Sequence, residues 1–549
     1  MTEAKNIFTY QGRLYELAAG QSEALDAYAE HYNHVERRLY TDMRKSGASA
    51  ASFKNSYLVE YGLTARQFNA IGRNLEGKIA SVKELLPLRR GDFAAKIEKL
   101  SKALPKIKDI GKLHQKKRRL AILEGRLAAV DAQLASGDPQ ICFGSRKLFL
   151  AQHNLEINGF LNHKEWRAAW QSKRNSQFFV IGSGDETMGC QGCVISANPG
   201  GSFNLKLRLL GKEASYAVIE NLSIPYGGDV IRSAVERHRT IQTAYTLELK
   251  EARGAAKAAP EDPAVPSKKP LGPSLSYRFL KDAKGWRVFI STEFPKVEIV
   301  SVKAAGAVGI DINADCIALA ETDRFGNLVG TQVFPLVTYG KSSDQAEAII
   351  GDVVKEIVAR AVDAGKPVIM EKLDFSKKKA ELNGEDPKYA RMLSSLTYNG
   401  IKSGIKARAS KHGIEVIEVN PAYSSIIGLV NYTQAKGLSV HQAAALVIAR
   451  RGSGFRERPF VSSATIPTSK GDHVTFPLPA RIVGKHVWTF WRASQTSTKT
   501  VLVAHARSSS DDPFRLRPWK GKYPAFMVRP RDVNRSQHCS ESVLGIIPW

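Results

Sequence analysis

Ala307-Val308-Gly309-Ile310-Asp311-Ile312-Asn313 is the stretch that decides the fold of the C-terminal half of this chain. It predicts an apolar strand that ends in an acid, and a second strand starting at Cys316 follows after a tight turn. A later apolar run, Pro367-Val368-Ile369-Met370-Glu371, also ends in a carboxylate. Two carboxylates at the ends of buried strands can lie side by side and share divalent cations. Asp311 and Glu371 are therefore the first candidates for a functional site.

The charge of the chain indicates which class of partner to expect. The 549 residues include 80 Lys and Arg against 53 Asp and Glu, so the net charge is +27. The excess runs along most of the chain, which favours a polyanionic partner over a merely basic, solvated surface. No apolar run approaches the ~20 residues of a membrane span, and the N-terminus does not read as a signal peptide. Five cysteines, an odd number, argue for a reducing compartment.

The pattern of apolar residues divides the N-terminal half into three regions. A strand is predicted within residues 1–20, and helical spacing dominates residues 21–175, including a helical hairpin at 96–134 that carries Lys116 and Arg118. Residues 176–302 show period-two alternation, as around Lys206 and Arg208, and an Ala-, Pro- and Lys-rich stretch at 252–274 predicts a flexible insert. The basic face of such a strand, like the charged helix face, can contact nucleic-acid backbone or simply be solvated.

The C-terminal half changes to α/β. Three strands, at about 303–312, 315–322 and 328–335, precede a helix at 342–362 and the strand that ends at Glu371. A helix at about 388–412, a strand at 415–419 and a helix at about 439–451 complete a nuclease core predicted for residues 303–470. This order of elements is what an RNase H-like fold requires. In the C-terminal extension, residues 471–549, the pattern of apolar residues predicts strands at 475–478, 482–488 and 500–504.

These motifs resemble the RuvC-type nuclease domain of transposon-encoded TnpB (OrfB) proteins and of their descendants, the type V CRISPR effectors. The first motif matches as Gly309-Ile310-Asp311-Ile312-Asn313 through Gly326-Asn327, and the second as Ile369-Met370-Glu371-Lys372-Leu373. The stretch from Glu418 to Ser425 resembles the segment that leads into the zinc ribbon of the family. The resemblance covers residues 303–452 well and the N-terminal half loosely.

The resemblance implies a multidomain α+β protein with a helical recognition lobe, a wedge-type β-barrel and a C-terminal RNase H-like (RuvC) nuclease domain. It implies an RNA-guided DNA endonuclease of the prokaryotic cytoplasm that cuts target DNA with two Mg²⁺ or Mn²⁺ ions. The implied partners are one guide RNA per protein and double-stranded target DNA beside a short motif that the protein reads, while base pairing supplies the rest of the recognition. Candidate nucleic-acid-binding residues are Lys116, Arg118, Lys206, Arg208, Lys377, Lys378, Arg450 and Arg451.

The chain departs from the family pattern in two places. The zinc ribbon of the family has four cysteines, whereas the only Cys-x-x-Cys here is Cys190-Gln191-Gly192-Cys193, so the sequence argues against a structural zinc site. His441 stands where the family has its third acid. Imidazole can ligate a divalent ion, although more weakly for Mg²⁺ than carboxylate does, so His441 is a candidate third ligand or simply a polar residue on a helix.

Three functions therefore stay open at this stage. The first is the RNA-guided endonuclease with Asp311, Glu371 and His441 as catalytic metal ligands. The second is a guided DNA-binding protein that is weak or inactive as a nuclease, because the third position is not an acid. The third is a guide-independent, structure-specific nuclease, which would not need the long N-terminal half. If His441 is not a ligand, Asp511 or Asp512 is the alternative.

Overall fold

The computed structural model describes residues 6–15, 17–211, 215–258, 270–295, 297–313, 315–338, 340–372, 395–467, 473–481 and 484–508. The chain forms two compact units, Met1–Lys296 and Val297–Trp549. Both combine helices with sheets. Among the described residues, no helix is both long enough and apolar enough to cross a bilayer.

The first unit contains the predicted helices and the alternating strands. Its α-helices are α1 (Ala19–Ser46), α2 (Lys54–Glu60), α3 (Ala65–Ala103), α4 (Ile110–Ser136), α5 (Arg146–Leu150), α6 (His163–Arg174) and α7 (Gly228–Ala258). Its strands are β1 (Ile7–Arg13), β2 (Gln177–Val180), β3 (Cys193–Ala197), β4 (Phe203–Arg208), β5 (Tyr216–Leu222), β6 (Leu275–Asp282) and β7 (Gly285–Glu293).

The strands of the first unit form two antiparallel sheets with the orders β1-β7-β6-β2 and β3-β4-β5. Alternate side chains from both sheets, such as Phe203 and Leu205 of β4 and Tyr277 of β6, join one core with the apolar stripe of α1. The two sheets share a core, but the described strands do not close into one hydrogen-bonded ring, so the wedge-type β-barrel stays a prediction. Helix α7 separates β5 from β6, so these two strands are not joined as a hairpin.

Two predicted boundaries in this unit were wrong. Helix α7 continues through residues 252–258, so helix replaces the first part of the predicted flexible insert. Alanine-rich sequence favours helix, and that preference outweighs the loop-like composition of the stretch.

The helical hairpin starts at Ala65 rather than at residue 96, because α3 runs uninterrupted through Pro87. A proline inside a helix removes a hydrogen bond and usually ends or kinks the helix, yet α3 continues past this residue.

The second unit contains the α/β elements in the predicted order. Its strands are β8 (Ala307–Ile312), β9 (Cys316–Thr322), β10 (Leu328–Pro335), β11 (Val368–Glu371), β12 (Val416–Val419), β13 (Ser463–Pro467) and β14 (His473–Pro477). Its α-helices are α8 (Ser343–Ala364), α9 (Ser395–Lys411), α10 (Ser424–Gly428), α11 (Gln434–Lys436), α12 (Val440–Gly452) and α13 (Val487–Ser508). A single π-helical turn, Leu429–Thr433, joins α10 to α11.

The five-stranded sheet of this unit has the order β10-β9-β8-β11-β12. Strand β9 is antiparallel to β8 and β10, whereas β8, β11 and β12 are parallel to one another. Helices α8 and α9 connect the parallel strands and pack on one face of the sheet. Helices α10 and α12 pack on the other face, together with the β13-β14 hairpin and α13.

The strand predicted at 500–504 was wrong, because helix α13 spans Val487–Ser508. The described part of the strand predicted at 482–488, residues 484–488, contains no strand either. The buried side chains of this helix are Phe490, Trp491, Ser494 and Thr498. Their spacing follows a helical stripe, but the many threonine residues and the aromatic residues suggest strand on propensity alone. The prediction failed because two of the four buried positions are hydroxyl residues, which an apolar pattern does not detect.

Candidate functional site

The register of the sheet places Asp311 and Glu371 on the same face. Ile310 of β8 pairs with Met370 of β11 in a parallel ladder, so the next residue on each strand is a carboxylate. Side chains alternate between the two faces of a strand. Ile310 and Met370 belong to the core under α8 and α9, and the carboxylates therefore point to the face that α10 and α12 cover. Both acids lie at the carboxyl ends of adjacent parallel strands.

Asp311 is nearly buried, with 7% of its surface exposed. Its Oδ2 accepts a hydrogen bond from Asn313 Nδ2 at 2.8 Å and lies 3.2 Å from His441 Nδ1. A carboxylate can only accept, so Nδ1 carries the hydrogen in this contact. The hydrogen bond to Asp311 raises the pKa of His441 above its usual value, although partial burial of the imidazole acts in the opposite direction. A protonated His441 would thus balance the charge of Asp311.

The position of His441 follows from how α12 packs against β8. Ser439 caps the helix and exchanges hydrogen bonds with Gln442, which fixes His441 in the first turn. Gly309 of β8 faces the middle of the helix. A Cβ built there would lie only 2.3 Å from Ala445 O and 2.7 Å from Ala449 Cβ, so only glycine permits this approach. Small residues on both elements therefore bring His441 within reach of Asp311.

Glu371 is held from two other elements. Ser424 Oγ, at the start of α10, donates to Glu371 Oε1 at 2.7 Å, and Tyr398 Oη of α9 donates to the Glu371 carbonyl oxygen at 2.7 Å. Ser424 follows Tyr423, which has a φ of +64°. A bulky residue in the left-handed region is uncommon, and such outliers concentrate at functional sites. The backbone turn at Tyr423 directs the Ser424 hydroxyl towards the carboxylate.

The chemistry of these side chains fits a hard divalent cation in part. Asp311 and Glu371 offer carboxylate oxygens, the ligands that Mg²⁺ and Mn²⁺ prefer. His441 uses its Nδ1 on Asp311, which leaves Nε2 as its other ring nitrogen. Within the described part of the chain, no group of three His, Cys, Asp or Glu side chains is close enough together to hold a metal ion. Asp311 and Glu371 stay candidate ligands, and Asp511 and Asp512 lie outside the described residues.

The predicted nucleic-acid-binding residues of the first unit lie on its surface. Lys116 and Arg118 are exposed on α4. Lys206 is exposed on β4, and its Nζ lies 4.4 Å from the centre of the Tyr216 ring. Arg208, on the same strand, is half-buried and lines a cavity of about 220 Å³. These four side chains stay predictions for nucleic-acid contact, and the surface positions of three of them are compatible with it.

The two arginines of α12 form contacts within the second unit instead. Arg450 Nε lies 2.5 Å from Glu457 Oε1, and its Nη1 donates to Gly326 O at 2.6 Å, with only 16% of the side chain exposed. Arg451 donates to the carbonyl oxygens of Asn420 and Ala422. These contacts leave both arginines partly exposed, and their contact with nucleic acid stays a prediction. Lys377 and Lys378 lie outside the described residues.

The Cys-x-x-Cys pair lies in the core of the first unit. Cys190 and Cys193 are both fully buried at the start of β3. Burial raises the pKa of the Cys190 thiol to about 12, while hydrogen bonds from the backbone of Cys193 and Gly192 act against this. Such thiols are protonated and unreactive at neutral pH. The structure thus gives the pair a packing role in the core.

Four residues that the sequence did not single out help to build the site. Asn313 donates a hydrogen bond to Asp311. Both Ser424 and Tyr398 donate hydrogen bonds to Glu371, and Gly309 sets the distance between β8 and α12. Asn313 and Gly309 belong to the first motif, so their neighbourhood was visible in the sequence. Ser424 lies in the stretch from Glu418 to Ser425 that resembles the family, but its contact with Glu371 was not predicted, because it depends on the left-handed backbone at the preceding tyrosine.

Comparison with known proteins gives weak likenesses. No family model and no curated protein sequence matches the chain. Among solved structures, the chain is similar to the Cas12f1–sgRNA–target DNA complex at 12% identity, with 81% of this chain and 99% of that chain covered and a TM-score of 0.30. A CRISPR–Cas12f ternary complex gives 11% identity, coverage of 80% and 98%, and a TM-score of 0.18. The Cas12i1 R-loop complex after target DNA cleavage gives 9% identity, with 62% of this chain and 53% of that chain covered and a TM-score of 0.23. TM-scores this low establish no common fold.

Proposed function

We propose that this protein is an RNA-guided DNA endonuclease whose active site contains Asp311, Glu371 and His441. The observation that carries the proposal is the pair of carboxylates at the ends of two adjacent parallel strands, on one face of the sheet, with His441 3.2 Å from Asp311. The order of the elements, three strands, helix, strand, helix, strand and helix, is the one an RNase H-like core requires. The net charge of +27 suits a chain that holds nucleic acid.

The roles of the residues follow from their chemistry. Asp311 and Glu371 would hold Mg²⁺ or Mn²⁺, and the bound cations would supply water activation and stabilise charge on the scissile phosphate. Asn313 and Ser424 keep the two carboxylates oriented through single hydrogen bonds. Such outer partners of a ligand typically contribute 10- to 100-fold to affinity or activity. Sequence recognition would reside in the guide RNA.

The proposal is tested with the RNA that the protein retains on purification. The copurified RNA is sequenced, and a plasmid that carries the complementary sequence beside a randomised segment is the substrate. We expect the wild-type protein to cut a subset of plasmids in Mg²⁺ or Mn²⁺ and the Asp311→Ala variant to cut none. Both proteins should retain the same RNA. RNA-free protein that cuts DNA without a guide would refute the proposal.

His441 provides a more specific test of the site. The His441→Ala variant should lower guided cleavage at least ~10-fold, because the imidazole contacts Asp311, and should leave RNA and DNA binding close to wild type. The His441→Asp variant should retain or raise Mg²⁺-dependent cleavage, since a carboxylate adds a harder ligand. Unchanged cleavage in His441→Ala would remove His441 from the site.

A second candidate function, a guided DNA-binding protein without nuclease activity, is favoured by one specific observation. Asp311 Oδ2 accepts hydrogen bonds from both Asn313 and His441, so neighbouring donors already balance this carboxylate in the structure. A protonated imidazole competes with a cation for the same oxygen. If guided cleavage never appears in Mg²⁺ or Mn²⁺, and Asp311→Ala binds target DNA like wild type, this second function replaces the first.

A further inference from the structure

The helical hairpin formed by α3 and α4 extends well beyond the core of the first unit. The last buried side chains before the turn are Leu86 on α3 and Leu123 on α4, and no side chain between them is buried. From Leu86 to the end of α3 at Ala103 the helix rises by about 25 Å at 1.5 Å per residue. Residues such as Leu100 on α3 and Leu113 on α4 are half-buried there. The distal part thus presents almost its whole surface to solvent.

The end of this hairpin is the most strongly basic stretch of the molecule that we find. Residues 98–119, here called the hairpin tip, contain nine Lys and Arg and two acids, Glu98 and Asp109, a net charge of +7. All nine basic side chains are exposed; they are Lys99, Lys102, Lys106, Lys108, Lys112, Lys116, Lys117, Arg118 and Arg119. The two acids have local roles, since Glu98 pairs with Lys102 and Asp109 caps α4 at the Lys112 amide.

Folding alone does not account for this concentration of charge. Lys112 and Lys116 are four residues apart on α4, and like charges at that spacing destabilise a helix. Arg119 extends the same row by one further turn. An ordinary solvated helix mixes acids and bases. Nearer the base of the hairpin, Arg90 of α3 and Asp131 of α4 have opposite charges and form an ion pair across the two helices. Binding of a polyanion would offset the repulsion at the hairpin tip.

We propose that the hairpin tip binds the phosphate backbone of a nucleic-acid duplex. The tip contains no Phe, Tyr or Trp, so it lacks the rings on which unpaired bases stack. Seven of its nine basic residues are lysines, which act as point charges and suit sequence-independent phosphate contact. A row such as Lys112, Lys116 and Arg119 covers about 10 Å of helix and can meet successive phosphates along one strand. The hairpin tip shares no residue with the carboxylate site, and the proposed binding does not require nuclease activity.

The test measures how the binding of full-length, RNA-free protein depends on salt. Labelled duplex DNA and duplex RNA of about 25 base pairs, and a single-stranded oligo(dT), are titrated by fluorescence anisotropy over ~0.05–0.3 M NaCl. The test variant carries Lys112→Gln, Lys116→Gln, Lys117→Gln and Arg119→Gln. Removal of one phosphate-binding side chain should reduce the slope of log K against log[salt] by about 0.9, so the full effect is up to ~3.6 on a duplex. A loss of slope confined to duplex RNA or to duplex DNA identifies which nucleic acid supplies the backbone.

Two further variants separate the tip from overall charge and from folding. A control removes four exposed, scattered charges with Lys45→Gln, Lys341→Gln, Lys355→Gln and Lys436→Gln. A charge-conserving variant exchanges Lys for Arg, and Arg for Lys, at the four tip positions and should keep the wild-type slope. The proposal is overturned if the scattered variant loses as much slope as the tip variant, or if only oligo(dT) binding changes. It is also overturned if polyglutamate displaces the duplex as well as competitor DNA does, because that result favours an acidic protein partner.

Discussion

Replacement of Gly309 by alanine tests whether the close packing of β8 against α12 positions His441. The added Cβ would lie 2.3 Å from Ala445 O and 2.5 Å from Ala449 N, both backbone atoms of the helix. Ordinary contact requires about 3.4 Å, so the helix and the strand must separate by about 1 Å. We expect the 3.2 Å contact between His441 and Asp311 to lengthen by a similar amount, beyond hydrogen-bonding distance.

Two measurements should respond to the Gly309→Ala change. Overpacking of this kind costs about 1–3 kcal/mol. For a unit of this size that corresponds to a fall of about 2–10 °C in the melting temperature of the transition that belongs to the second unit. Amide hydrogen exchange followed by mass spectrometry should show faster exchange in peptides that cover β8 and α12. Guided cleavage should fall more than the loss of folded protein explains, because a displacement of about 1 Å at a catalytic group slows a reaction strongly.

Gly351 provides the matched control for this experiment. It lies on the exposed side of α8, and an added Cβ there would meet no atom within 4 Å. Gly351→Ala should be neutral or stabilise the helix by up to about 1 kcal/mol. If Gly309→Ala melts like Gly351→Ala and retains wild-type exchange in α12, the close packing does not constrain the helix and the account of how His441 is positioned is refuted.

Two other predictions concern single hydrogen-bonded groups. Ser424→Ala removes the donor to Glu371 Oε1 and should reduce guided cleavage by about 10-fold or more, with little change in melting temperature. Ser424→Thr keeps the hydroxyl and should retain activity. An equal reduction of cleavage in both variants would argue against a role for the hydroxyl. The hydrogen bond from Arg13 lowers the pKa of Asp282 to about 2, so the contribution of this pair is complete above the unfolded-state pKa of about 3.9 and disappears as the pH falls towards 2. Asp282→Asn should flatten the acid end of the stability curve slightly, because the pair is partly exposed, and an unchanged curve would contradict the assignment.

Much of the second unit could be predicted because its elements carry strong local signals. The apolar runs that end at Asp311 and Glu371 are continuous and short, as buried parallel strands are, and β8 and β11 are observed within a few residues of their predicted positions. The prediction failed where the signal came from a minority of residues, as in helix α13, whose buried face includes Ser494 and Thr498. The predicted hairpin at 96–134 was also too short, because α3 starts at Ala65 and continues through Pro87.

The sequence by itself determined the residue types of the site, the order of the elements in the second unit and the basic character of the chain. These follow from local periodicity and composition, which do not depend on the rest of the molecule. Only the tertiary structure decided which groups meet. The pairing register puts Asp311 and Glu371 on one face, the absence of a side chain at Gly309 brings His441 to Asp311, and the left-handed turn at Tyr423 sets the serine that holds Glu371. Such contacts depend on register and on distances of a few tenths of an ångström between residues far apart in the chain, and no local pattern encodes either.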